Sequence, residues 1–570
     1  MAALRGEPLR KDAESAASAL RQAQHWSWLI PIVALAATAG CVTLAYSQGH
    51  YGFPLDDAWI HQTYARNLAE TGQLAYLPGQ PSAGSTSPAW SFLLSVSYMV
   101  GLDYRLWTYL LGGLTLAATA WLTYRLFLRL VALRPGPWSS GQASRPTAAL
   151  LTGLFCAVEW HLVWAAASGM ETMLFTALSL ALLETYFSQT ATVGRHAAGE
   201  PKDPASVRTE RTYVNAVGIG LLGGLLTLTR PEGLGLAGLV IAALLVTPLP
   251  SGRGEVKTSL LAAGVSLLAL GAILAPYLAF NLRTAGSVFP NTFYAKQAEY
   301  QIYLQSWSAP VRFWRVVSPT LVGAQILLLP GFGYALYRLI RRRDGPAGHS
   351  PRAWVEKLVA TLPAALPLLW WLAILLVYAW RLPVDYQHGR YAMPSIPFLI
   401  LYGAWGTAEL LRPRSPHLWQ RVLSQSVPVA VALLALLFWV RGAVAYRDDV
   451  GFIEGEMAAA ARWLNEHTAP ADRIAVHDIG AVGYLTDRPL LDLAGLITPQ
   501  VIPFITDAKQ LANWMGEQGA AYAVFFPDFS PTYTQLAADP RLQAVYCTDY
   551  AWTRSHGHQN LCVFRLSAGK

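Results

Sequence analysis

Charge is what this sequence has least of. Asp, Glu, Lys and Arg make up 13% of its 570 residues, against about 25% in an ordinary soluble protein. That scarcity argues against a soluble globular chain. Cysteine is scarce too, at four residues, and no CxxC or HExxH spacing occurs, so a structural or catalytic zinc site of those kinds is not indicated. No repeat of the solenoid kind is seen. The N-terminus lacks a cleavable-signal pattern: its first apolar run follows Arg5, Arg10, Lys11 and Arg21 and is too long for a signal core, so it reads as a retained anchor. The net charge of +8 does not point to nucleic acid, because the Lys and Arg residues cluster in short loops between apolar runs, as cytoplasmic loops do.

What is abundant is apolar and aromatic. Hydrophobic residues reach 54%, mean hydropathy is +0.32, and there are 21 tryptophans. The expectation is a polytopic α-helical membrane protein of about 11 spans with a small C-terminal α/β domain. Apolar runs at 28–47, 104–130, 147–167, 170–188, 213–230, 232–249, 258–281, 317–340, 358–380, 391–410 and 425–443 are taken as spans. The run 88–101 is too short and reads as interfacial or re-entrant. The basic loops then fall on one side: the N-terminus, those around Arg134, Lys202 and Arg253, the cluster Arg341-Arg342-Arg343, and Arg412 with Arg414. This sets residues 1–27 in the cytoplasm, the membrane domain at 28–445 with a first outer loop at 48–103, and an extracytoplasmic domain at 446–570.

After residue 446, EGEMAAAARWLNEH and AKQLANWMGEQG read as helices, and RIAVHDIG and AYAVFFPDF as strands. Cys547 and Cys562 lie there in two stretches that could pair as a hairpin. A disulfide and two buried thiols both remain open.

The outward segments share an unusual chemistry. Asp56 and Asp57 directly follow the first span, and helical spacing puts Asp57, His61 and Tyr64 on one face. Later turns bring Glu171, then Arg230 and Glu232, then Tyr294 and Lys296, then His388 and Arg390. Ionisable groups gathered at one end of a bundle are functional candidates. Bland readings stand beside them. Glu171 and Arg230 could be a structural ion pair, His61 and His388 packing residues, Arg66 a snorkelling side chain, and one Asp an N-cap. A second Asp is not explained by capping.

The run DDAWIHQTYARNLAETGQLAYLPGQPSAGSTSPAW, followed in order by SGMET, RPEG, VFPNTFYAK, HGRYAMPSIPF and VHDIGAVGYLTDRPLLDLAG, resembles the GT-C superfamily of membrane glycosyltransferases. Within it, the chain is similar to the arabinofuranosyltransferase-like branch. The resemblance covers about residues 28–500. It implies an enzyme of the cell membrane that takes a sugar from a polyprenyl-phosphate donor and passes it to a glycan, lipid or protein acceptor on the outer face. It implies a catalytic carboxylate at Asp56, with Asp57 assisting. A carboxylate suits a general base on an acceptor hydroxyl. Arg390, His388 and Lys296, with Arg230 behind them, suit the donor's phosphate. No cofactor is expected, and a divalent cation at the acidic pair stays open. A transporter or flippase of lipid-linked sugars is the rival reading. Transporters commonly carry ionisable groups mid-span, whereas here they collect at one end.

Overall fold

A computed structural model describes residues 21–133, 145–196, 205–246, 255–341, 351–411, 415–486 and 488–567. Arg134, Lys202, Arg253, Arg342, Arg343, Arg412 and Arg414, on which much of the loop-charge argument rests, lie outside them, as do residues 1–20.

Among the described residues, six helices are long and apolar enough to cross a membrane: Arg21–Ser47, Tyr104–Ala132, Glu210–Thr229, Val256–Ala285, Thr361–Arg381 and Leu418–His467. Counting two bent helix pairs as one span each brings the number to eight, so the expected count of 11 is not met. The reasons are local. The run 147–167 breaks by 49° between Arg145–Val158 and Trp160–Ala167, where Glu159 caps the second helix by accepting from Leu162 N. The run 317–340 falls within a pair bent by 103°, Ala309–Leu321 and Ala324–Ile340, with Gly323 at φ 150° in the break. Gly233–Val246 and Ile396–Leu410 have 14 and 15 residues. At about 1.5 Å rise per residue these cover less than the ~30 Å of a hydrocarbon core. Thr172–His196 is long enough but diluted by Glu184, Ser188 and Gln189.

The segment 48–103 is built around a largely buried helix, Asp56–Thr71, closed by Gly72 in the left-handed conformation. A short hairpin, Ala75–Leu77 with Gln80–Pro81, leads to the helix Pro88–Val100, which at 13 residues is too short to span.

The final long helix runs from Leu418 to Gly455 and passes at Glu456 into Met457–His467. A five-stranded sheet follows, as the alternating pattern implied. Its strand order is Leu490–Asp492, Arg473–Val476, Ala520–Phe525, Cys562–Leu566, Leu542–Cys547; the first three are parallel and the last two antiparallel. Helices Ala508–Glu517 and Pro531–Ala537 close a separate apolar core around Leu511, Met515, Phe525 and Leu536. Cys547 and Cys562 face each other in the register of the last two strands and are joined as a disulfide.

This domain sits directly on the segment 48–103. Its helix Ile479–Leu485 packs against Asp56–Thr71. Tyr484 lies between Trp59, with ring centroids 5.1 Å apart, and the Arg66 guanidinium, 4.6 Å above its ring. Arg66 is therefore a packing cation at the domain contact.

Candidate active site

Adjacent helical residues point about 100° apart, and the two aspartates accordingly part company. Asp56 turns to the C-terminal domain, where its two oxygens accept from Gly480 N at 2.6 Å and Ala481 N at 2.7 Å. Gly480 is needed for this approach, because a Cβ there would lie 1.9 Å from the Asp56 carbonyl oxygen. Burial pushes the Asp56 carboxyl up to about 8, with Asp478 adding to the push and the two N–H groups opposing it.

Asp57 turns the other way, into a cavity of about 370 Å³ lined by residues of the segments around 57–61, 84–86, 170–172, 230–232, 289–297, 377–382 and 390–391. Lys296 Nζ donates to its Oδ2 at 3.1 Å, and Arg390 Nη2 donates to the same oxygen. Burial alone would raise the Asp57 carboxyl, but the two cations outweigh it and hold the group well below the usual carboxylate range. The Tyr391 hydroxyl accepts from Lys296 at 3.1 Å and from Arg390 at 3.0 Å. Against burial, the same two cations lower the Tyr391 phenol. Arg390 is buried, and its Nε and Nη1 have no hydrogen-bond partner. Both of these nitrogens are enclosed by the protein, and Nη2 is the one that reaches Asp57 and Tyr391.

A second polar group lies in the same cavity. His61, one turn beyond Asp57, places Nε2 3.3 Å from Glu171 Oε2, and Arg230 Nε lies 3.6 Å from Glu171 Oε1. Arg230 donates to the Tyr378 hydroxyl at 2.8 Å, and that hydroxyl donates to Glu232. Burial would raise the Glu171 carboxyl, but His61 and Arg230 bring it down to about 2. The rest of the wall is largely apolar and aromatic, with Phe289, Phe293, Val377, Trp380 and Leu382. Trp380 is 72% exposed.

The sequence-derived set therefore converges in part. Asp57, His61, Glu171, Arg230, Glu232, Lys296 and Arg390 all line this cavity. Asp56, Tyr294 and His388 do not. Tyr294 is exposed, on the far side of its helix from Lys296. His388 instead pairs with Asp449. Tyr64, expected on the Asp57 face, is buried against Ser82. Tyr378, Arg381 and Tyr391 were missed. Tyr391 adjoins Arg390 in HGRY, and that adjacency was the available signal. Asp449 belongs to a second acidic pair, Asp448-Asp449, at the end of the last apolar run, a signal of the same kind as the first pair.

Among the described residues, no group of three or more His, Cys, Asp or Glu side chains could hold a metal ion. The neighbours of Asp57 are cations, a donor set that does not fit a tightly bound divalent ion.

Residues 443–564 match a family described as a domain of unknown function (DUF8728). No curated protein matches the chain. Among solved structures, it is similar to ArnT from Cupriavidus metallidurans in the apo state, at 17% identity and TM-score 0.56 over 96% of this chain and 99% of that one. ArnT bound to undecaprenyl phosphate gives 16% identity and TM-score 0.56, over 96% and 98%. The oligosaccharyltransferase AglB from Archaeoglobus fulgidus, in complex with an inhibitory peptide and a dolichol-phosphate, gives 12% and 0.55, over 90% and 71%. At these identities the likeness is one of fold alone: the chain shares the fold of ArnT and AglB.

Proposed function

We propose that this protein is an integral-membrane glycosyltransferase that moves a sugar from a polyprenyl-phosphate donor to a cell-envelope glycan, lipid or protein acceptor, with Asp57 as the general base. One observation carries the reading. A single cavity holds a carboxylate kept ionised by two cations, Lys296 and Arg390, beside an apolar wall. Such a cavity offers a phosphate its counter-charges, a prenyl chain its wall and an acceptor hydroxyl its base. Two of the fold neighbours are solved with undecaprenyl phosphate or a dolichol-phosphate, which is the same donor chemistry.

The chemistry follows from the charges. Transfer breaks the bond between the sugar's anomeric carbon and the phosphate oxygen and forms one to the acceptor oxygen. The leaving phosphate needs no proton at neutral pH, but its charge needs partners. Arg390 offers paired donors and Lys296 a point charge. Asp57 takes the acceptor's proton. On their own, the same two cations make Asp57 a weak base. An incoming phosphate shares them, so the basicity of Asp57 rises as the donor binds. Positive charge developing on the sugar ring, as in glycoside hydrolysis, is met by Asp57, and Glu171 and Glu232 offer acceptors to sugar hydroxyls.

The outer face is the side assigned to this cavity. The disulfide supports it, since such bonds persist in oxidising compartments. The test is transfer from a panel of radiolabelled polyprenyl-phosphate sugars to envelope extracts, with purified protein in nanodiscs. Label should move from at least one donor. No transfer from any donor, with flux of lipid-linked sugar in proteoliposomes, would identify a carrier instead.

A further inference from the structure

The segment before Arg390 has an uncommon backbone. Gln387, His388 and Gly389 follow one another in the left-handed region, at φ 52°, 59° and 68°. Side chains with a Cβ are disfavoured there, and such residues persist only where their surroundings hold them. The holding groups are specific. His388 Nε2 lies 2.8 Å from Asp449 Oδ2, and Trp164 Nε1 donates to the same oxygen at 2.9 Å. The His388 ring stands edge-on to Trp160 and Trp164, with centroids 5.4 Å and 5.2 Å away. Gly389 makes room for the turn, since a Cβ there would lie 2.6 Å from Pro319. The next residue is Arg390, whose Nη2 reaches Asp57 and Tyr391. His388 itself does not line the cavity.

We propose that His388 is a positioning residue: gripped by Asp449 between two tryptophans, it locks the left-handed turn that delivers Arg390 to Asp57, and through Arg390 it sets the hold on the donor's phosphate. The last clause rests on the phosphate role given to Arg390 above; the placement of Arg390 does not. Because Asp449 belongs to the helix that continues into the C-terminal domain, the grip also ties the turn to that domain.

The test is a double-mutant cycle on the full chain in nanodiscs, with undecaprenyl phosphate as probe and binding read by native mass spectrometry. His388→Ala weakens binding about tenfold, and in an Arg390→Ala background it costs nothing further. His388→Gln, whose side-chain amide nitrogen reaches the place of the imidazole Nε2 and can donate to Asp449, recovers most of the loss. Equal losses in both backgrounds overturn the proposal, as does failure of His388→Gln to recover binding. Cryo-electron microscopy of His388→Ala supplies the arm that needs no ligand. Arg390 should leave Asp57, and an unchanged Arg390–Asp57 contact sinks the proposal. If His388→Ala does not fold, Asp449→Asn takes its place, with the same displacement and the same masking by Arg390→Ala expected. If wild-type protein binds no undecaprenyl phosphate, the donor reading fails, and the density of Arg390 still decides the role of His388.

Discussion

At the scale of single residues, two neighbouring carboxylates have opposite surroundings. Asp57 is half-buried among cations and Asp56 half-buried against backbone N–H groups. Only the first can touch a ligand in the cavity. Arg390→Ala removes one electrostatic partner of the phosphate and should lower kcat/KM by about 10²–10³. A pH profile separates the opposing effects on Asp57. With both cations present its carboxyl lies well below the usual range, so the acid limb of kcat/KM, which reports the free enzyme, should fall at low pH. Lys296→Met removes one cation and leaves burial acting, so that limb should move to higher pH. A limb that stays put would mean that Asp57 is not the titrating base.

At the scale of elements, the contact between Asp56–Thr71 and Ile479–Leu485 sets which aspartate faces where. Gly480→Ala drives a Cβ into Asp56, and such overpacking costs about 1–3 kcal/mol. It should appear as a lower melting temperature in detergent. The disulfide closes a short segment, with Cys547 and Cys562 15 positions apart. For a loop of that length the loss on Cys562→Ser is about 3 kcal/mol; protein whose stability ignores reductant would contradict the bond. The membrane composition and the α/β alternation after residue 446 were legible in the sequence, because period and apolar run length are local properties. Which aspartate faces the cavity was not. Lys296 and Arg390 lie 239 and 333 positions from Asp57, and Gly480 lies 424 from Asp56, so long-range packing decides it. The count of 11 spans was not confirmed among the described residues, in part for a related reason. Helix breaks at Glu159 and Gly323 depend on a cap and a backbone angle, which run length does not register.

At the scale of the whole molecule, the C-terminal domain meets the segments 48–103 and 282–316 at several contacts, and two of them involve titratable groups that the domain contact itself shifts. One is Asp56. The other is His477, whose Nε2 lies 3.0 Å from Glu299 at the end of the Lys296 helix and whose Nδ1 lies 3.3 Å from Asp478. Burial would lower the His477 imidazolium, but Asp478 and Glu299 raise it well above its ordinary range. A histidine with a raised folded-state pKa stabilises fully below its unfolded value of about 6.5, and this is lost as pH rises through the folded value. Docking should therefore loosen on the alkaline side. Hydrogen exchange in the 291–299 helix should quicken from neutral to alkaline pH in wild type and change less in His477→Gln. Equal profiles would remove His477 from the contact.

The division between the two aspartates is the centre of this account, and sugar transfer from the active polyprenyl-phosphate donor by Asp57→Asn and Asp56→Asn tests it most directly. Asp57→Asn should lose transfer by about 10³-fold or more while remaining folded, and Asp56→Asn should keep most of its turnover with a lowered melting temperature. Full transfer by Asp57→Asn, or loss confined to folded Asp56→Asn, would contradict it.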